Sequence, residues 1–300
     1  MKVAVTGATG FVGRAVVASL LSRGDQVRAW FRPGRIGSSL PQHQELEWVE
    51  GDLRNRQLHT EFVSGCDAVV HAALDRTGPG FRGAEGNLID FVETNVVGSI
   101  NLIEEARKAG VKRFIFISTC AVHERILDDR PLDETHPLWS TSHYGAHKAA
   151  IEAFVSSFGL GSGFPVCALR PTGIYGLAQP AEHSKWFELV KQVLAGQAVS
   201  CTRGGKEVHV DDVARAVALL LNAPAIQITG HAFNCTDRYV SDLEVAQIAQ
   251  KLSGSSAVVQ GQTPQPKHQI ATGKIQRLGM VFGGTPLLEK TIGQLVNAAG

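Results

Sequence analysis

The sequence lacks an excess of either charge, cysteines at ligand spacing and any apolar run long enough to cross a bilayer. Lys and Arg total 29 against 28 Asp and Glu, so no global field is expected to hold nucleic acid or an anionic membrane. The expected partners are small molecules. The five cysteines, Cys66, Cys120, Cys167, Cys201 and Cys235, are scattered and odd in number, which suggests neither a disulfide framework nor a zinc site. Reduced thiols fit the cytoplasm. The opening Val3-Ala4-Val5 is broken by Thr6-Gly7, too early for a signal sequence, and no stretch reaches the ~18 apolar residues of a membrane span. Charged residues make up only 19% of the 300, and hydrophobic ones 44%. That balance predicts extensive burial and excludes disorder.

What is present is an alternation. Short β-branched runs (Val3 to Thr6, Gln26 to Phe31, Ala68 to His71, Phe114 to Ser118) alternate with helical-period segments (Phe11 to Ser22, Leu88 to Lys108, His147 to Phe158), which predicts a parallel sheet. The runs are apolar almost throughout, as when helices cover both faces of the sheet. The predicted class is α/β, a doubly wound (Rossmann) sheet with a smaller C-terminal lobe. Residues 1–170 and 209–229 are expected in the main domain, and 171–208 and 230–300 in the substrate lobe.

The strongest local signal is Thr6-Gly7-Ala8-Thr9-Gly10-Phe11-Val12-Gly13, which leaves a strand and runs into a helix. Glycines there permit a tight turn, close approach of backbone to a pyrophosphate and close helix-to-strand packing, while the helix N-terminus offers free amides. Gly7, Thr9, Gly10, Phe11, Val12 and Gly13 are therefore candidate dinucleotide contacts. NAD sites usually carry an acid ~20 residues on for the ribose hydroxyl, and NADP sites an arginine. Here the second strand ends Trp30-Phe31-Arg32 with Arg35 behind it, and Asp25 precedes the strand. Arg32 and Arg35 favour NADP, with NAD as the alternative, unless both are simply solvated. Asp52, before Leu53, can accept from an adenine amino group or cap a helix near Asn55. Small Ala72 and Ala73 leave room for a cofactor at a strand's carboxyl edge.

Tyr144 and Lys148 stand at i and i+4, on one helix face. An ammonium within ~4–6 Å lowers a phenol's pKa by ~1–3 units, so Tyr144 is expected to work as an acid and base near neutrality. His143 and His147 share that spacing, but no third ligand is evident and no metal is expected. Arg82 reads as a loop residue, and Asp211 and Asp212 as a helix N-terminus.

These motifs, with Gly51-Asp52-Leu53, His71-Ala72-Ala73, Asn95-Val96-Val97-Gly98, Ser118-Thr119, Arg170-Pro171, Ile174-Tyr175-Gly176 and His209-Val210-Asp211-Asp212-Val213-Ala214, resemble the extended short-chain dehydrogenase/reductases, or NAD-dependent epimerase/dehydratase family, along nearly the whole chain. The resemblance implies that Tyr144 is the acid/base, that Lys148 binds the nicotinamide ribose and tunes the phenol, that Thr119 hydrogen-bonds the substrate oxygen, and that Asn95 helps organise a proton path. Ser118 is the fallback for Thr119. It also implies a homodimer through helices around 88–108 and 142–158.

Three departures narrow the chemistry. Val122-His123-Glu124 replaces the common Val-Tyr-Gly. Cys120-Ala121 replaces the Asp-Glu pair of sugar-nucleotide 4,6-dehydratases, and neither side chain can shuttle the protons of dehydration. Gly205 stands where nucleotide-sugar enzymes often have an arginine, four residues before His209. The expected activity is NAD(P)-dependent interconversion of a secondary alcohol and a ketone. The alternatives are a nucleotide-sugar epimerase and, from another class, a non-catalytic NADP-binding sensor.

Overall fold

The computed structural model describes residues 1–32, 40–78 and 83–300. Arg35 and Arg82 lie outside the described residues. Among the described residues twelve strands follow in order: β1 (Lys2–Thr6), β2 (Gln26–Phe31), β3 (Leu46–Glu50), β4 (Ala68–His71), β5 (Arg113–Ile117), β6 (Val166–Pro171), β7 (Gly173–Tyr175), β8 (Val199–Cys201), β9 (Gly204–His209), β10 (His231–Cys235), β11 (Arg238–Ser241) and β12 (Val259–Gly261).

Seven of them form one sheet in the order β10-β6-β5-β4-β1-β2-β3, parallel at every pairing. Every residue of β4 and β6 is buried, which is why these strands read as unbroken apolar runs. Strand order reverses beside β1, which pairs with both β2 and β4, and ligands of open α/β sheets bind at the carboxyl ends there. Phe62, Leu102, Ile103, Phe114, Phe116 and Ile151 are among the fully buried residues of its core.

The chain divides into two compact units, one of Met1–Pro171 with Val213–Cys235 and Ala271–Met280, the other of Thr172–Asp212, Thr236–Ile270 and Val281–Gly300. The expected boundary is corrected at 230–235: β10 pairs with β6 from His231↔Cys167 to Cys235↔Pro171, so this strand completes the main sheet. Residues 271–280 also belong to the first unit, where the Ala271 amide donates to the Leu132 carbonyl at 2.9 Å. Conversely, 209–212 fall in the second unit. That unit holds a three-stranded sheet, β11-β9-β7, and the pair β12-β8, over a core that includes Tyr175, Phe187, Val190, Leu288 and Ile292.

Two helices differ from their expected form. The segment 88–108 is interrupted by a π-turn at Glu93–Val97, and the second helix starts at His143 rather than 147 because Ser142 caps it, accepting from the Gly145 amide at 3.1 Å.

Candidate active site

The glycine turn is shaped by what lies beneath it. Gly7 has φ +67°, and a Cβ there would stand 2.6 Å from the Ala72 carbonyl carbon. A Cβ on Gly13 would fall 2.0 Å from the Gly7 carbonyl oxygen, so only glycine lets the helix Phe11–Ser22 pack this tightly. Gly10 caps that helix without a side-chain hydrogen bond, and Thr9 and Gly10 are exposed. Bare backbone and uncapped amides at the switch point fit a dinucleotide pyrophosphate.

Behind the turn runs a buried chain of hydrogen bonds. The Ala73 amide donates to Thr6 Oγ1 at 3.2 Å, Thr6 Oγ1 meets His71 Nδ1 at 2.7 Å, and His71 Nε2 meets Ser99 Oγ at 2.7 Å. Ser99 Oγ donates to the Asn95 carbonyl. Since Ser99 spends its proton there, it must accept from His71, which places the imidazole proton on Nε2. Burial pushes the His71 pKa well below its ordinary value, and the ring stays neutral.

The Asn95 side chain holds the loop after β4. Its Oδ1 accepts from the Asp75 amide at 2.8 Å, and its Nδ2 donates to the carbonyls of Asp75 and Phe91, both at 3.0 Å. The carboxamide is committed to holding the loop after β4. On that loop Asp75 receives Arg32 Nη1 at 2.5 Å and Arg54 Nη2 at 2.7 Å. Asp52 accepts from the Arg54 amide at 2.9 Å, and the following helix is capped by Arg56, so the expected capping role fails. The Leu53 side chain is 4% exposed and packs into the core, so a cofactor would meet this residue through its backbone.

Tyr144 and Thr119 lie side by side, while the Lys148 ammonium is held elsewhere. The Thr119 hydroxyl lies close enough to the Tyr144 phenol to favour its ionised form and accepts from the Ala121 amide at 3.1 Å. The pKa of Tyr144 nevertheless moves opposite to the expected direction. Burial raises it, and Thr119 and the charge of Arg76 only partly offset this. Lys148 explains the difference: its Nζ donates to the Ile117 carbonyl at 2.8 Å and lies 4.6 Å over the Phe116 ring. Burial pushes its own pKa down to about 7, against the attraction of Glu152.

Ser118 is engaged elsewhere, donating to Glu152. Glu152 and Arg170 form a buried pair, with Arg170 Nε 2.9 Å from Glu152 Oε2. Arg170 Nη1 lies 3.2 Å from His123 Nε2, whose ring contacts the Pro137 carbonyl at 3.2 Å through Nδ1. Burial, then Arg170, lowers the His123 pKa to about 4. Burial pushes the Cys120 thiol up to about 12, unsuited to proton shuttling. Glu152, Asp75 and Arg54 escaped the sequence reading, and Glu124 entered it only as a departure in the loop after β5. Only Glu152 left a trace, as the next i+4 position on the face of Tyr144 and Lys148. His147 packs on Phe91 and Tyr144 at ring distances of 4.9 and 5.3 Å. Among the described residues, no three metal-ligating side chains come together, and no helix is long and apolar enough to cross a membrane.

Residues 3–236 match the NAD dependent epimerase/dehydratase family. A 3-beta-hydroxysteroid dehydrogenase of Mycolicibacterium neoaurum is 34% identical over 215 residues, covering 70% of this chain and 57% of that protein. The chain therefore spans little more than half of that relative's length. A dTDP-glucose 4,6-dehydratase of Streptomyces niveus is 30% identical over 275 residues, 85% of this chain and 78% of the relative. The crystal structure of Thermus thermophilus UDP-glucose 4-epimerase complexed with NAD superposes with a TM-score of 0.78 at 25% identity, covering 100% and 99% of the two chains. Sheet, glycine turn and match agree: this chain belongs to the NAD-dependent epimerase/dehydratase family, the extended short-chain dehydrogenase/reductases.

Proposed function

We propose that this chain is an oxidoreductase that interconverts a ketone and a secondary alcohol, with NADP preferred over NAD. The observation that carries the reading is the Tyr144 phenol, placed beside the Thr119 hydroxyl and kept protonated by burial. A protonated phenol is poised to donate, which suits ketone reduction at neutral pH. The nicotinamide, when bound, supplies the hydride. Tyr144 gives its proton to the substrate oxygen, and the Thr119 hydroxyl stabilises charge developing on that oxygen. Lys148 and the turn around Gly7, Thr9, Gly10, Phe11 and Val12 hold the cofactor, with Ala72 and Ala73 beneath it.

The NADP preference rests on charge. Arg32 and Arg54 share the single carboxylate of Asp75, so two guanidiniums meet at this corner. A cytoplasmic location and pairing of two copies belong to the same reading. Exposed Ile89, Val92 and Phe154 on the helices Leu88–Val92 and His143–Ser156 suit such pairing.

A nucleotide-sugar epimerase is the second reading, favoured by the fold match to UDP-glucose 4-epimerase along the whole chain. Against it stands Glu207. A Cβ on Gly205 would sit 2.5 Å from Glu207 Oε1, so a carboxylate occupies the space an arginine side chain would need. The test is to follow NADPH absorbance with a panel of neutral ketones and, separately, with UDP-glucose. Stoichiometric loss of NADPH with formation of a secondary alcohol supports the reductase. Epimerised UDP-glucose without net cofactor loss would establish the epimerase.

A further inference from the structure

Arg32 follows β2 directly and Arg54 follows β3, its parallel neighbour, with Phe31 in register with Glu50. Their guanidiniums converge on opposite oxygens of Asp75, at 2.5 and 2.7 Å, and Arg54 Nε also donates to Thr94 Oγ1 at 3.1 Å. Asp75 is itself fixed, because the carboxamide of buried Asn95 pins both its amide and its carbonyl. The pair is thus aimed by a rigid support at the carboxyl edge of the sheet, one strand from the glycine turn.

Stability does not account for it. The Arg54 side chain is 62% exposed, and exposed ion pairs contribute little, ~0–1 kcal/mol. The two guanidiniums also share one carboxylate between them. A guanidinium carries five N–H donors. Among the described residues, Asp75 engages one from Arg32, while Asp75 and Thr94 engage two from Arg54. Two forks with donors to spare match a phosphate dianion, which accepts through three oxygens.

We propose that Arg54 is a second cofactor-specificity residue which, with Arg32 and across the support of Asp75, seats the 2′-phosphate of NADP. This inference rests on the NADP reading above. It adds a residue for which the sequence offers no signal, since Arg54 does not follow the second strand.

The test is fluorescence titration of the purified protein with NADPH and with NADH, in the wild type, Arg54→Gln, Arg54→Lys and Arg32→Gln. The wild type is expected to bind NADPH more tightly. Arg54→Gln is expected to weaken NADPH about tenfold, the loss of one charge-assisted hydrogen bond, and to leave NADH within about twofold. Arg54→Lys, which keeps the charge without the fork, should fall between. An Arg54→Gln variant that keeps the NADPH preference, or loses both cofactors equally, overturns the role of Arg54 while the NADP reading survives through Arg32. A wild type that prefers NADH overturns the NADP reading and this inference together. Binding of neither cofactor overturns the nicotinamide site itself.

Discussion

Glu124 grips Ser142: its carboxylate accepts from the Ser142 amide at 2.8 Å and from the Ser142 hydroxyl at 3.0 Å. The Thr141 amide and hydroxyl donate to the same carboxylate, at 2.5 and 3.1 Å. Ser142 in turn caps the helix that begins at His143 and carries Tyr144 and Lys148. Glu124 stands where the family often has glycine, so this chain fastens the helix of Tyr144 and Lys148 with a clamp of its own. Burial opposes the charge on Glu124, but the four hydrogen bonds outweigh it and hold its pKa below the ordinary value.

Glu124→Gln should therefore destabilise the protein, because an amide NH2 would face donors. Helix caps are typically worth ~0.5–2 kcal/mol, and in a protein of this size ~1 kcal/mol lowers Tm by about 2–4 °C. The group's depressed pKa means its contribution is present above the unfolded carboxylate value and is lost as pH falls through the folded one. Calorimetry from neutral to acid pH should show the gap between wild type and variant closing as the medium becomes more acid. Equal Tm values at neutral pH would show that the clamp is unimportant.

Tyr144→Phe should lower turnover of a neutral ketone by ~10²–10⁴, the usual weight of a general acid, with the Kd for NADPH nearly unchanged. It deletes only the transferable proton. Full activity in this variant would remove Tyr144 from the chemistry.

Lys148→Met should weaken both turnover and cofactor binding. It should also alter the pH dependence of stability. The folded pKa of about 7 lies below the unfolded value near ~10.4, so above pH 7 the unfolded chain binds the extra proton and stability rises with pH, by at most ~1.4 kcal/mol per unit. Urea denaturation between pH 6 and pH 9 should show that rise in the cofactor-free wild type and not in the variant. Parallel curves would mean that the ammonium is solvated.

UDP-glucose should not stabilise the NADPH-loaded protein. A ligand at 100 times its Kd adds ~2.7 kcal/mol, readily seen in a thermal-shift assay, and Glu207, ion-paired with Lys185, fills the space beside Gly205 that a diphosphate-binding arginine would need. A clear stabilisation by UDP-glucose would promote the epimerase reading.

Features that depend on near neighbours were legible in the residues themselves. The turn from Gly7 to Gly13, the alternation of strand and helix and the shared face of Tyr144 and Lys148 are set by backbone freedom, hydrophobic period and helical pitch, all local. Features that depend on distant segments were not. His231–Cys235 is too short and mixed to declare a buried strand, and only its register with β6 places it in the main sheet. Asp75 lies 43 positions from Arg32, so the acid that partners this arginine became visible only when the carboxyl edges of β2 and β4 came together. Asn95 likewise shows its role only when its carboxamide meets the Asp75 backbone. The charge states of Tyr144 and Lys148 were also decided in three dimensions. Spacing put an ammonium on the same face as the phenol, but the core around Ile117 and Phe116 drew that ammonium away and stripped it of water. Burial then governed both pKa values, and desolvation is a property of the packed interior that no local spacing encodes.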